Sequence, residues 1–80
     1  MKMPKVGDEV RLRFWDHSEG GGDPIELYVY GLVADVSKLR IKLESWTTVD
    51  PKAPERTDDR NVARCGILCS CITEVVKLNG

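Results

Sequence analysis

Three cysteines at 65, 69 and 71 and a single histidine at 17 carry the richest chemistry in this chain. Thiolates and imidazole are the usual soft ligands of zinc, and the usual nucleophile and base of small catalytic sites. The cysteine spacing argues against both uses. Read as one strand, residues 62–71 place Ala63, Cys65, Ile67, Cys69 and Cys71 on one face and Val62, Arg64, Gly66, Leu68 and Ser70 on the other. Same-face neighbours on a strand stand about 6.6 Å apart, twice the rise per residue. Two sulfurs sharing one zinc, each at about 2.3 Å, must come within about 4 Å of each other. A Cys69–Cys71 disulfide fails for the same reason. The cysteine face is the more evenly apolar, so it is expected to point inward, where thiols pack as small hydrophobes. His17 sits beside Asp16, Glu19 and Asp23 in a glycine-rich stretch, with no nucleophile held at a fixed distance, and reads as a solvated loop residue. The run Gly20-Gly21-Gly22 lacks the Lys-Ser/Thr pair and the following helix of a phosphate cradle. No catalytic residue, metal site or cofactor is expected, and an enzyme is not the reading.

Binding chemistry has better candidates. Arg11, Arg13 and Trp15 are expected on the outward face of the first strand, and Arg40, Lys42 and Trp46 on the outward face of the third. Cations that hold phosphates, interleaved with rings that stack on bases, are what single-stranded nucleic acid exploits. The plainer interpretation is a solvated face whose rings cover a partner or subunit contact. Tyr28, Tyr30 and Leu32 form a separate apolar stripe on the second strand, suited to an oligomer contact. The net charge of −1, from 12 basic and 13 acidic side chains, removes the bulk positive charge that marks many nucleic-acid binders.

These residues need strands to position them. Val10, Leu12 and Phe14 alternate with Glu9, Arg11 and Arg13, the period of a half-buried strand. In the second strand Ile25, Leu27, Val29 and Val33 share one face and Tyr28, Tyr30, Leu32 and Ala34 the other, with Gly31 where the chain bends or another backbone approaches. Leu39, Ile41 and Leu43 alternate with Arg40, Lys42 and Glu44 in the third. The pattern predicts five strands at about 6–15, 25–36, 39–49, 62–70 and 74–78, with long loops at 16–24 and 50–61 and a tight turn of 3₁₀ type at Cys71–Thr73. Eighty residues, 41% apolar and 31% charged, suffice for one globular domain spanning 1–80 and leave no room for a second core. No apolar run approaches the roughly 20 residues that span a bilayer. Met1-Lys2-Met3-Pro4-Lys5 lacks the apolar stretch of a signal peptide, and an odd cysteine count does not suit a secreted disulfide framework, so a cytoplasmic protein without membrane contact is expected.

The run from Tyr30 through Gly31, Leu32, Val33 and Ala34 to Ser37, followed by Leu39-Arg40-Ile41-Lys42-Leu43, resembles the first motif of the Sm-like family. In that family an aromatic residue and a glycine bend the second strand. Ile67-Leu68-Cys69-Ser70-Cys71-Ile72-Thr73-Glu74-Val75-Val76 is similar to the closing strand, turn and strand of its bacterial RNA-chaperone branch, Hfq. Together the two stretches cover about half the chain. The resemblance implies an all-β, five-stranded SH3-like/Sm-like small barrel with two long loops. It implies no RNA-contacting residue. Ser37-Lys38 stands where the family carries an acidic residue and an asparagine, and Cys69-Ser70 where the Hfq branch carries Lys-His. The Val-Gln-Ile-Tyr run of the small-barrel dihydrofolate reductases is absent. The functional expectation is a binding or assembly module that forms homo-oligomers and accepts a protein partner. The alternative is a single-stranded RNA or nucleic-acid binder acting through the Arg/Trp face.

Overall fold

Alternation of apolar and charged residues builds the first strand, β1 (Glu9–Asp16): Val10, Leu12 and Phe14 are buried, while Arg11 and Arg13 face the other way. The computed structural model describes residues 2–16, 22–50, 52 and 64–78. Its other strands are β2 (Ile25–Val36), β3 (Arg40–Val49), β4 (Cys65–Leu68) and β5 (Ile72–Lys77). A single 3₁₀ turn, Cys69–Cys71, joins β4 to β5. All pairings are antiparallel in one sheet of order β4-β3-β2-β1-β5. The sheet curls into a half-barrel, so the all-β expectation holds. The expected loops at 16–24 and 50–61 fall largely outside the described residues, as do His17, Glu19, Val62 and Ala63.

Several boundaries differ from the pattern, β3 by a single residue at its start, Arg40. β1 starts at Glu9 because residues 5–8 form a turn. Its Asp8 N–H donates to the Lys5 carbonyl at 3.0 Å, and Gly7, at φ +93°, donates to the Val33 carbonyl at 2.9 Å. That φ suits glycine and few other residues. The 3₁₀ turn occupies 69–71 rather than 71–73, so β5 begins at Ile72, two residues early. β4 is correspondingly short.

The concave side holds the core. Val10, Leu12, Phe14, Val29, Val33, Ile41, Leu43, Ile67 and Ile72 form one buried cluster, with Leu27, Val36, Trp46, Cys65, Cys69 and Val75 half-buried against it. Leu12 is fully buried between its sheet neighbours Val29 on β2 and Val75 on β5. Such a site ties three strands together.

A β-bulge corrects one expectation. Tyr30 pairs with Thr47 and Leu32 with Glu44, so two residues of β3, Ser45 and Trp46, oppose Gly31 alone. Ser45 takes a left-handed backbone, φ 50°. The extra residue resets the alternation, because side chains change face at every step along a strand. Trp46 therefore turns inward and packs against the core instead of joining Arg40 and Lys42 outside. A left-handed conformation costs an ordinary residue roughly 1–2 kcal/mol. Ser45→Gly should therefore stabilise the fold by up to about 1 kcal/mol, and Ser45→Val, branched at Cβ, should cost about 1–2 kcal/mol. Urea titrations of the two variants read this directly; a valine variant as stable as the parent would contradict it.

Candidate functional site

The convex face carries Arg11, Arg13, Tyr28, Tyr30 and Leu32, and the register fixes who faces whom. Across β5, β1, β2 and β3 one row reads Val76, Arg11, Tyr30, Thr47; the next reads Glu74, Arg13, Tyr28, Val49. Partners directly opposite on one face of a sheet have Cβ atoms about 5 Å apart, close enough to interact. Arg11 lies over the Tyr28 ring with its guanidinium carbon 4.7 Å from the centroid, and Arg13 lies over the same ring at 5.6 Å. Both guanidiniums are also ion-paired. Arg11 Nη2 is 2.7 Å from Glu74 Oε1, and Arg13 Nη2 meets Glu26. The Glu74 hydrogen bond holds the Arg11 pKa above its ordinary value, as Glu26 does for Arg13. The result is a nearly neutral, half-buried patch in which Tyr28, Tyr30 and Leu32 lie among charges that already have partners.

The six residues of the candidate basic and aromatic face divide into four places. Arg11 and Arg13 sit on β1; Arg40 and Lys42 sit on β3, with β2 between them. Arg40 pairs with Asp35 at 3.1 Å, and Lys42 faces Asp35 across the sheet. The Val36 amide and Arg40 together hold the Asp35 carboxyl below the usual range. Trp15 is 48% exposed at the end of β1, and Trp46 is inside. A 400 Å³ groove brings Trp15 together with Arg13, its partner Glu26, Pro24, Ile25, Asp50 and Lys52. Strand alternation alone leaves open whether the six residues share one surface; the sheet order and the bulge separate them.

The cysteines are all free and half-buried. Cys65 and Cys69 pack against the core as the alternation predicts, and the Cys69 thiol points at the Ser37 carbonyl, 3.7 Å away. Cys71 lies in the 3₁₀ turn, outside the strand that would have aligned it with the other two, and is not part of the core packing. No group of three potential metal ligands occurs among the described residues. Burial pushes the Cys65 thiol pKa up, which lowers its thiolate fraction. Variants that each retain one cysteine should therefore label with a maleimide most slowly at Cys65 in the native protein at pH 8. Equal rates at all three would remove the burial argument.

A further feature carries no residue signature, namely the sheet's two edges. Among the described residues β4 pairs only with β3, and β5 only with β1. The Cys69 N–H donates to the Leu39 carbonyl and the Leu78 N–H to the Glu9 carbonyl, both at 2.8 Å. Antiparallel ladders alternate between bonded and non-bonded pairs. Hence Gly66 on β4, and Val75 and Lys77 on β5, turn their backbone N–H and C=O groups to the open sides; Leu68 turns its N–H there, while its C=O closes the 3₁₀ turn. No composition or spacing rule finds such positions, because they follow from strand order.

Among the described residues no helix is long and apolar enough to cross a membrane. No family model, no curated protein and no solved structure matches the chain.

Proposed function

We propose that this chain is an assembly module that binds further copies of itself edge to edge, β4 of one copy pairing with β5 of the next. One observation carries the reading: among the described residues, a single curled sheet leaves two unlike edges open. Unpaired backbone donors and acceptors are a template for another strand. Edges are usually guarded by charge or proline, yet β4 reads Cys-Gly-Ile-Leu and has neither. A contact between two different patches is head-to-tail, and it closes into a ring when its rotation divides a full turn. A domain of 80 residues also has little surface to bury alone and gains from a neighbour. The strand order, with a 3₁₀ turn between β4 and β5, supports the narrower assignment to the SH3-like/Sm-like barrels, and no catalytic step is part of the proposal. Tyr28, Tyr30 and Leu32 lie on the convex face, away from both edges, and form a second surface for a protein partner.

Sedimentation equilibrium over a hundredfold dilution tests this. The expected species are whole multiples of 9.0 kDa, dissociating on dilution. A 9.0 kDa species at every concentration would overturn the proposal. Single-stranded nucleic acid is the weaker alternative, since Arg11, Arg13 and Arg40 all have carboxylate partners. A strongly salt-dependent mobility shift with single-stranded RNA would favour it instead.

A further inference from the structure

The starts of β1 and β3 and the ends of β2, β4 and β5 lie at one end of the sheet. Two hollows open there on either side of Met3. One, of 610 Å³, is lined by Met3, Val36, Ser37, Lys38 and Cys69. The other, of 350 Å³, adds Lys2, Pro4, Lys5, Asp8, Val75 and Lys77. Met3 lines both; Val36 and Cys69 add apolar wall to the first, beside Ser37, and Pro4 and Val75 to the second, beside Asp8. Leu39, whose carbonyl is bonded to Cys69, is 68% exposed beside Lys38.

The rim has a strong charge bias. Four lysines, 2, 5, 38 and 77, face a single carboxylate, Asp8, although the whole chain carries −1. That carboxylate is occupied. It accepts the Lys5 backbone N–H at 2.8 Å and lies 3.5 Å from Lys77 Nζ. Lys2 and Lys38 have no carboxylate partner among the described residues.

We propose that this cleft docks an extended acidic peptide segment of a partner protein, its aliphatic side chains entering the hollows and its carboxylates meeting the lysines. Ammonium groups are mobile point charges without a fixed fork, and they suit carboxylates spaced along a flexible chain. Methionine adapts its shape to varied aliphatic guests. No aromatic ring lines either hollow, so stacked bases find no platform.

The probe is an eight-residue peptide alternating glutamate and valine, with a lysine–valine peptide as control, followed by amide chemical-shift mapping on the full chain in its native assembly. The acidic peptide is expected to bind, with shifts centred on Met3, Val36, Lys38, Cys69 and Val75. The double variant Lys5→Glu, Lys38→Glu should weaken binding at least about tenfold while its native circular dichroism is kept, since both side chains are exposed. The proposal is overturned if the control peptide binds equally well or if the shifts map elsewhere. It is also overturned if phosphatidylserine vesicles or single-stranded RNA perturb these residues while the acidic peptide does not.

Discussion

Gly31→Val should destabilise the fold by about 3 kcal/mol or more, enough to leave much of the population of so small a domain unfolded at 37 °C. Gly31 is buried at the middle of β2 and faces the core. A Cβ built there would lie 3.1 Å from Trp46 Cβ, and 3.2 Å from both Leu43 Cβ and Leu43 Cδ1. Carbon atoms prefer roughly 3.5–4.0 Å. Two of the three obstructing atoms are β-carbons, which move only when the β3 backbone moves. Gly31→Ala therefore meets two opposed effects: overpacking that costs about 1–3 kcal/mol, and relief of glycine's own penalty of roughly 0.5–1 kcal/mol within a strand. Its net loss should be about 1–2 kcal/mol. Valine adds two methyl groups with nowhere to go. A double-mutant cycle separates space from backbone preference. Trp46→Ala costs stability alone but should recover part of the Gly31→Ala loss, giving a coupling of at least about 0.5 kcal/mol. Full additivity, or a valine variant with an unchanged urea midpoint, would show that the approach of β3 to β2 is not what requires glycine.

The same bulge explains where a reading of the residues succeeded and where it stopped. β2 was legible from Tyr28 to Val33, because Val29 and Val33 on one side, and Tyr28, Tyr30 and Leu32 on the other, obey a period of two; beyond Val33 a second register shift breaks the count and brings Val36 to the core. The bend at Gly31 was legible too, since a glycine inside an apolar strand marks close approach. Trp46 was not. A count of two carried past Ser45 places it outside, and nothing local distinguishes a serine in the left-handed region from one in a strand. Arg11 and Arg13 were correctly placed on the outer side of β1, but their neutralisation by Glu74 and Glu26 joins residues 63 and 13 positions apart. Only the register supplies such pairs. The lysine-rimmed cleft is equally non-local: Met3, Lys38, Cys69 and Lys77 come from four separate stretches. Alternation reports which face a side chain takes, and says nothing about which strand lies beside it.

Leu68→Pro should abolish assembly and leave the fold intact, whereas Ile67→Pro, one residue earlier, should unfold the chain. The contrast follows from where each N–H points. Ile67 pairs with Ile41 in the bonded class set by Cys69 and Leu39, so its N–H belongs to the β3–β4 ladder, and its side chain is buried. Proline there removes a ladder bond and empties core space, a loss of about 3 kcal/mol or more. Leu68 turns its N–H to the open side, is 48% exposed, and has φ −63° and ψ 131°. Proline fixes φ near −65°, and edge positions tolerate it. Its preceding residue lies in a strand, the conformation that proline favours before it. β4 offers an incoming β5 only the N–H and C=O of Gly66 and the N–H of Leu68, so Leu68→Pro removes one of three groups and places a ring in the contact. The dissociation constant should rise at least about a hundredfold, and sedimentation should report a folded species of 9.0 kDa with a native near-ultraviolet spectrum. A Leu68→Pro protein that assembles with unchanged affinity would remove β4 from the contact. If Tyr30→Ala then dispersed it, the convex face would be the interface, because Tyr30 faces Arg11 and Thr47 there and touches neither edge.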